Sequence, residues 1–230
     1  MQIECLDYVE GARAARGVAV VIDVFRAFSV ACYAFAGGVA RILPVADADE
    51  ALRLRRAQPE WLAIGERHGR PLPGFDCGNS PADLDALDLH GRTLVHTTHA
   101  GTQGLVAARA ADQVLTGALV NAAALCRHIQ RLAPSHVSLV RMGVAARDRS
   151  DADDLCAELL AARLRGLPSP GIGEIRARLR HSAEAQKFFD REATWAPEAD
   201  FELCTELDRF DFVLAMDAMQ GFLQRVEVPG

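Results

Sequence analysis

The sequence predicts an α/β fold: a three-layer α/β/α sandwich with a largely parallel or mixed sheet and a helical C-terminal segment. Three observations predict it. Short β-branched apolar runs alternate with stretches of helical spacing as far as residue 140, the signature of strand–helix units around a parallel sheet. One of those runs, residues 17–23, ends on Asp23, and carrying an acid to a strand terminus is how an α/β sheet presents a carboxylate at its functional edge. A long polar loop, residues 64–81, carries glycines at 65, 69, 74 and 78, a spacing that either serves turn geometry or lets backbone N–H groups approach a ligand.

Taken in order, residues 2–8 suit an edge strand and 17–23 a buried one. Residues 25–36 are helical in spacing and almost wholly apolar, which places that helix deep against the sheet. A strand over 39–45 leads to Asp47, the expected N-cap of a helix reaching residue 57. Strands follow over 60–64 and 93–97; residues 98–104 then open a helix ending near 111. A strand over 112–116, a helix starting at Asn121 and a strand over 136–140 continue the alternation. Residues 151–165 form a helix with Leu155, Leu159 and Ala162 on one face. Prolines and glycines at 168–173 break the chain before two short helices, 174–180 and 182–189. Residues 195–207 fit neither period, and 212–215 are expected as a last strand at the sheet edge. The whole reads as one domain, 1–230, in which 166–205 forms a helical cap over the sheet.

Composition excludes several function classes. With 50% hydrophobic and 24% charged residues the chain is globular rather than disordered. A net charge of −6 and arginines scattered without a basic stripe argue against a nucleic-acid partner. No apolar run is long enough for a membrane span. Six well-separated cysteines, with no C-x-x-C and no secretory leader, are expected to be reduced thiols of a cytoplasmic protein.

Four constellations carry candidate chemistry. Asp23 and Arg26 set an acid at a strand end beside a guanidinium at a helix start, either to hold a metal and a phosphate together or as a cap with a local ion pair. The 64–81 loop supplies Glu66 and Asp76, Arg67 and Arg70, and the neutral Asn79 and Ser80. The turn containing Thr97, Thr98, Gly101 and Thr102 offers hydroxyls and backbone donors where a helix begins, an arrangement that caps helices generally and also binds anions. Asp151, Asp153 and Asp154, ahead of Cys156, suit a helix dipole with or without a catalytic role. Familiar phosphatase signatures are absent: Phe25 stands where a D-x-D pair would place its second acid, and Arg163 follows Cys156 too late for a C-x5-R cradle. There is no Walker A loop and no G-x-S-x-G elbow. His96 and His99, three positions apart on a strand running into a turn, read as structural rather than as metal ligands.

The ordered set VIDVFRA (21–27), GERHGRPLPGFDCGNSP (65–81), HTTHAGTQG (96–104), TGALVNA (116–122) and SDADDLCAE (150–158) resembles the 2-phosphosulfolactate phosphatase family. A fainter echo lies in FELCTELDRFDFV (201–213). The resemblance implies an α/β/α fold and a magnesium-dependent phosphomonoester hydrolase, acting in the family's named case in coenzyme M synthesis. Carried over to the matching positions, it points to Asp23 and Arg26, Glu66 and Arg67, Asp76, Asn79 and Ser80, Thr97 and Thr98, Gly101 and Thr102, Asn121, and Asp153 with Cys156. Three departures stand out: His99-Ala100 replace a single asparagine, Ala152 stands where glutamate is common, and Arg141-Met142-Gly143-Val144 replace a smaller turn containing cysteine and glycine.

The resulting expectation is a phosphatase for a small acidic phosphoester, 2-phosphosulfolactate or a related phosphorylated 2-hydroxy acid. Asp23, Asp76 and Asp153, with Glu66, are expected to hold Mg2+ through oxygen. Arg26, Arg67 and the 97–102 turn are expected to hold phosphate oxygens, and Cys156 is either a nucleophile or inert helix packing. A homodimer is expected on general grounds. Two rivals share the scaffold: a phosphotransferase with another acceptor, and an anion-binding protein without turnover.

Overall fold

In this computed structural model the described residues are 1–229. The chain opens with strand β1 (Gln2–Asp7) and helix α1 (Tyr8–Ala14), then β2 (Val18–Ile22), buried along its whole length. Alternate β2 side chains face opposite ways: Val18, Val20 and Ile22 join one core cluster, Ala19 and Val21 the other. That period of two, with apolar residues on both sides, requires a sheet covered on both faces. Helix α2 (Ala27–Ala36) is buried nearly all round, as its unbroken apolar composition demands.

Strand β3 (Arg41–Pro44) leads to α3 (Ala48–Ala57), where Asp47 accepts the Glu50 N–H at 2.8 Å as the expected N-cap. β4 (Leu62–Arg67) runs past Gly65 and folds back as β5 (Arg70–Pro71), so the polar loop begins as strand. β6 (Thr93–Thr97), α4 (Gly101–Ala107), β7 (Gln113–Gly117), α5 (Ala122–Leu132) and β8 (His136–Arg141) follow in alternation. After β8 come α6 (Asp151–Leu164), α7 (Ile172–Arg180), a 3-10 turn over Ala183–Phe188 and α8 (Glu198–Cys204). The stretch 195–207, which fits neither period, therefore contains a short helix. β9 (Phe212–Met216) and β10 (Leu223–Glu227) end the fold.

The strand order is β1-β8-β2-β7-β9-β10-β3-β6-β4-β5. Helices α1, α2 and α4 cover one face and α5 to α8 the other, giving three layers. One expectation is corrected: β9 is not an edge strand but lies between β7 and β10. Its apolar run is buried on both faces, and lateness in the chain does not specify place in a sheet. β10, an exposed strand of mixed polarity, is held by five antiparallel pairs to β9 and was not foreseen.

Pairing directions divide the sheet into two parallel blocks of opposite sense. β1, β8, β2 and β7 form one and β3, β6 and β4 the other, bridged by the antiparallel β9 and β10. In a flat sheet their carboxyl ends would lie on opposite sides. Five or six steps of right-handed twist turn β6 and β4 by roughly 100–150° relative to β2. Carboxyl ends of both blocks accordingly meet: Gly101, after β6, packs against Asp23, after β2.

The 166–205 segment packs over that meeting point. Phe201 is fully buried among aromatic rings, 5.1 Å from Phe189, 5.9 Å from Phe25 and 6.2 Å from Phe188. Phe201→Ala would leave a ring-sized void at this junction, and the expected loss of unfolding free energy is about 3–5 kcal/mol. Urea denaturation measures it, and a loss below about 1 kcal/mol would show that the aromatic cluster does not hold the segment down.

Candidate active site

A cavity of about 640 Å³ opens where the ends of β2, β4, β6 and β8 meet the 166–205 segment. That volume is ordinary for a small-molecule site. Asp23 and Asp153, both buried, stand in its wall. Asp23 follows β2 directly, and its Oδ1 accepts the Ala27 N–H at 3.2 Å. Gly101 lies so close that a Cβ there would stand 2.7 Å from Asp23 Oδ2, which is why this position takes no side chain. Asp153 sits in the first turn of α6, which Ser150 caps. Its Oδ1 accepts the Val24 N–H at 2.9 Å and its Oδ2 the Gly143 N–H at 2.8 Å, so one carboxylate ties the ends of β2 and β8 together.

Burial raises the Asp23 carboxyl to about 6, with Glu66 adding to the effect. Asp153 is pushed well above the ordinary range by burial first and by Asp23 next. Neither acid forms an ion pair among the described residues. Glu66, at the end of β4, also faces the cavity; Oε1 accepts the His99 N–H at 2.7 Å and Oε2 the Gly69 N–H at 2.6 Å. Gly65, one residue earlier, allows β4 to lie against β6, because a Cβ there would collide with the Thr97 carbonyl oxygen.

Arg26 reaches the cavity, but its guanidinium is engaged on three sides. Nη1 donates to Asp200 and to the Trp195 carbonyl at 2.8 Å, and Nη2 donates to the Gly69 carbonyl at 3.1 Å. Asp200 also accepts from Ser80 Oγ at 2.8 Å and from the Ala82 N–H at 3.1 Å, so Ser80 serves this network. Asn79 faces the cavity with its Oδ1 3.1 Å from His96 Nε2. His96 is fully buried, and burial lowers its imidazole to about 4, so the ring is neutral at physiological pH.

Other residues that the sequence singles out lie elsewhere. Asp76 is outside the cavity, bonded to Arg55 at 3.0 Å and to the Ala63 N–H at 2.8 Å. Burial alone would raise its carboxyl; those bonds outweigh burial and hold it below the usual range. Arg67 spends its donors on the Glu66 and Ala46 carbonyls and on Thr97 Oγ1, at 2.7, 2.8 and 2.9 Å, and does not line the cavity. Thr98 and Thr102 close on each other: each hydroxyl accepts the other's N–H, at 2.9 and 3.1 Å. The turn places His99 and Ala100, not these hydroxyls, at the cavity. Asn121 is fully buried away from it, with neither amide atom bonded. Cys156 faces the core, where burial pushes its thiol far above the ordinary value, the condition of an inert packing cysteine.

The sequence reading missed Glu184 and Lys187, both in the 3-10 turn at Ala183–Phe188, and both facing the cavity. One signal was there to be seen: Lys187 is the single lysine of the chain. Among the described residues no three His, Cys, Asp or Glu side chains form a ready-made metal cage, and no helix is long and apolar enough to cross a membrane.

Residues 6–218 match the family model described as 2-phosphosulpholactate phosphatase. The chain belongs to that family. A Bacillus subtilis protein named "Probable 2-phosphosulfolactate phosphatase" is 33% identical to it over 195 residues, 85% of each chain. One of the same name from a Synechococcus strain is 32% identical over 215 residues, covering 85% of this chain and 87% of the relative. A third, from Deinococcus radiodurans, is 40% identical over 134 residues, 56% of this chain and 55% of the relative. In this member of the 2-phosphosulfolactate phosphatase family, the residues that share the cavity come from the ends of both parallel blocks.

The buried acids make a pH-dependent contribution to stability. Because the folded Asp23 binds its proton more tightly than the ordinary carboxyl at 3.8, its contribution is favourable below about pH 4 and is lost as pH rises through about 6. In metal-free buffer, the stability of wild type relative to Asp23→Asn is expected to fall by on the order of 2–3 kcal/mol from pH 4 to pH 7. Urea midpoints across that range measure it; a difference that stays constant with pH would mean Asp23 titrates normally.

Proposed function

We propose that this chain is a Mg2+-dependent phosphatase that hydrolyses 2-phosphosulfolactate, or a closely related phosphorylated 2-hydroxy acid, to the hydroxy acid and inorganic phosphate. The observation that carries this reading is the Asp23–Asp153 pair, two buried carboxylates without ion-pair partners among the described residues, in the wall of a cavity of substrate size. Each acid is costly there as an anion, and a divalent cation relieves both at once. Mg2+ is usually held by one or two carboxylates, with waters and substrate phosphate completing its shell. This donor set fits that habit without a three-residue cage. A phosphorylated, sulfonated hydroxy acid is itself a polyanion, and the carboxyl groups of Asp23, Glu66, Asp153 and Glu184 in the cavity repel it, a repulsion that a divalent cation offsets.

Asp23 and Asp153 would hold the ion, with positions preset by the backbone N–H groups they accept. The chemistry Mg2+ supplies when bound is Lewis acidity towards phosphoryl oxygens. The other cavity residues arrange and enclose the substrate. Glu66 locks the β4 and β6 ends to each other through Gly69 and His99. His96, neutral and donating from Nε2 to Asn79 Oδ1, leaves the amide N–H groups of the cavity-lining Asn79 as donors for an anionic oxygen. Phe25 and Trp195 supply apolar walls that exclude bulk water. Arg26 keeps the wall in place through Asp200 rather than offering its charge to the substrate.

A cytoplasmic homodimer belongs to the same proposal. All six cysteines are free, in keeping with a reducing compartment, and two-fold pairs are the commonest assemblies of soluble enzymes. Inorganic phosphate released from 2-phosphosulfolactate, in buffers with Mg2+ and with a chelator, tests the activity. Release is expected only with Mg2+. Asp153→Asn is expected to lower Mg2+ affinity and kcat/KM together, each by at least ~10-fold, since the ion loses a charged ligand. Equal release with and without the metal would defeat the magnesium part of the reading; absence of release from any phosphorylated hydroxy acid would defeat the whole.

A further inference from the structure

Of the 25 basic residues in this chain, 24 are arginines and one is a lysine, Lys187. Where only a positive charge is needed, this chain uses arginine, so its one lysine stands at a place where arginine's size and planar fork are not equivalent. That place is the cavity. The two arginines lining the cavity are already paired: Arg26 with Asp200, side chains 2% and 0% exposed, and Arg149 with Asp154 at 2.6 Å. Lys187 has no ion pair among the described residues; its Nζ lies 5.0 Å from the centre of the Phe188 ring, and it shares the cavity lining with Arg26, Glu184 and Asp23.

We propose that Lys187 is a catalytic residue that binds the phosphoryl oxygens of the substrate. This rests on the phosphatase reading and adds a residue to it. The charge beside Lys187 decides which anionic group it takes. Lys187 lines the same cavity as Asp23, one of the two carboxylates assigned to the ion, and its ammonium is accordingly assigned to the phosphoryl group rather than to the substrate's far acid. A compact ammonium with three rotating donors serves a phosphoryl group whose charge moves among its oxygens during transfer. The 3-10 turn carrying Lys187 is anchored by Ala185 and Phe188 in the core, so the charge is delivered from a packed element. Partial burial lowers the ammonium's proton affinity, with Arg26 adding to the effect, and an arriving phosphate dianion offsets both.

The test compares Lys187→Met and Lys187→Arg with wild type on two esters, 2-phosphosulfolactate and phenyl phosphate, which lacks any second acid, together with calorimetric binding of inorganic phosphate in the presence of Mg2+. For K187M, kcat/KM is expected to fall at least 100-fold on both esters and phosphate affinity at least tenfold, with K187R recovering part of each. Unchanged phosphate affinity, or a loss confined to the sulfonated ester, would overturn the proposal, the second by placing Lys187 at the far acid. Should wild type release phosphate from neither ester, the phosphatase reading fails, while phosphate calorimetry still judges Lys187. Should K187M not fold, the wild-type protein supplies the test: lysine labelled with carbon-13 at Cε gives a single side-chain resonance. A shift on adding inorganic phosphate is expected, and a stationary line would overturn the assignment.

Discussion

Arg26 and Asp200 form an ion pair almost wholly removed from water, and the cavity wall depends on it. Burying two charges costs several kcal/mol each before their attraction is counted, and only further hydrogen bonds make such a pair tolerable. Here they are present. Arg26 also holds the carbonyls of Gly69 and Trp195, and Asp200 also holds Ser80 and the Ala82 N–H. One network thereby joins the helix start after β2, the loop after β4, the approach to the 82–86 turn and the C-terminal helical segment. Removing either partner leaves a buried charge alone, so the network sets geometry more than it adds stability. The Phe201 cluster beside it supplies the apolar contact that keeps water out.

Within that wall the electrostatics are arranged by contrast. Arg26, Arg67 and Asp76 each find protein partners, and the groups left for a ligand are fewer than their number in the sequence suggests. Asp23 and Asp153 remain as a pair of like charges in a low-dielectric place, both held by backbone N–H groups and neither ion-paired among the described residues. Lys187 remains as a cation with no ion pair among the described residues, its ammonium over the Phe188 ring. Buried acids and an ammonium that lack ion-pair partners among the described residues thus line one space, the kind of charge arrangement that marks a candidate functional site.

Much of the fold was legible in the sequence because local chemistry carries it. Asp47 ahead of a helical run was legible as an N-cap, the β-branched 17–23 run as a buried strand, and Asp23 as the acid at its end. β10 was not legible: its mixed polarity is set by one exposed face and by pairing with β9, which a local pattern does not record. Nor was the central place of β9, since strand order depends on crossovers, not on sequence position.

The sequence by itself determined the family, the alternation of strands and helices, and the presence of Asp23, Glu66, Asn79 and Asp153 near strand ends. Only the tertiary structure decided which charges stay available. Arg67 and Asp76 look as suited to a ligand as Arg26 and Asp23, and sequence spacing cannot say whether a guanidinium meets a carbonyl or a cavity. Glu184 and Lys187, more than 100 residues beyond the long loop, reach the same cavity because the C-terminal segment folds back over strand ends that sheet twist has brought together. Charge compensation is a matter of a few ångströms between distant segments, and that distance exists only once the chain has packed.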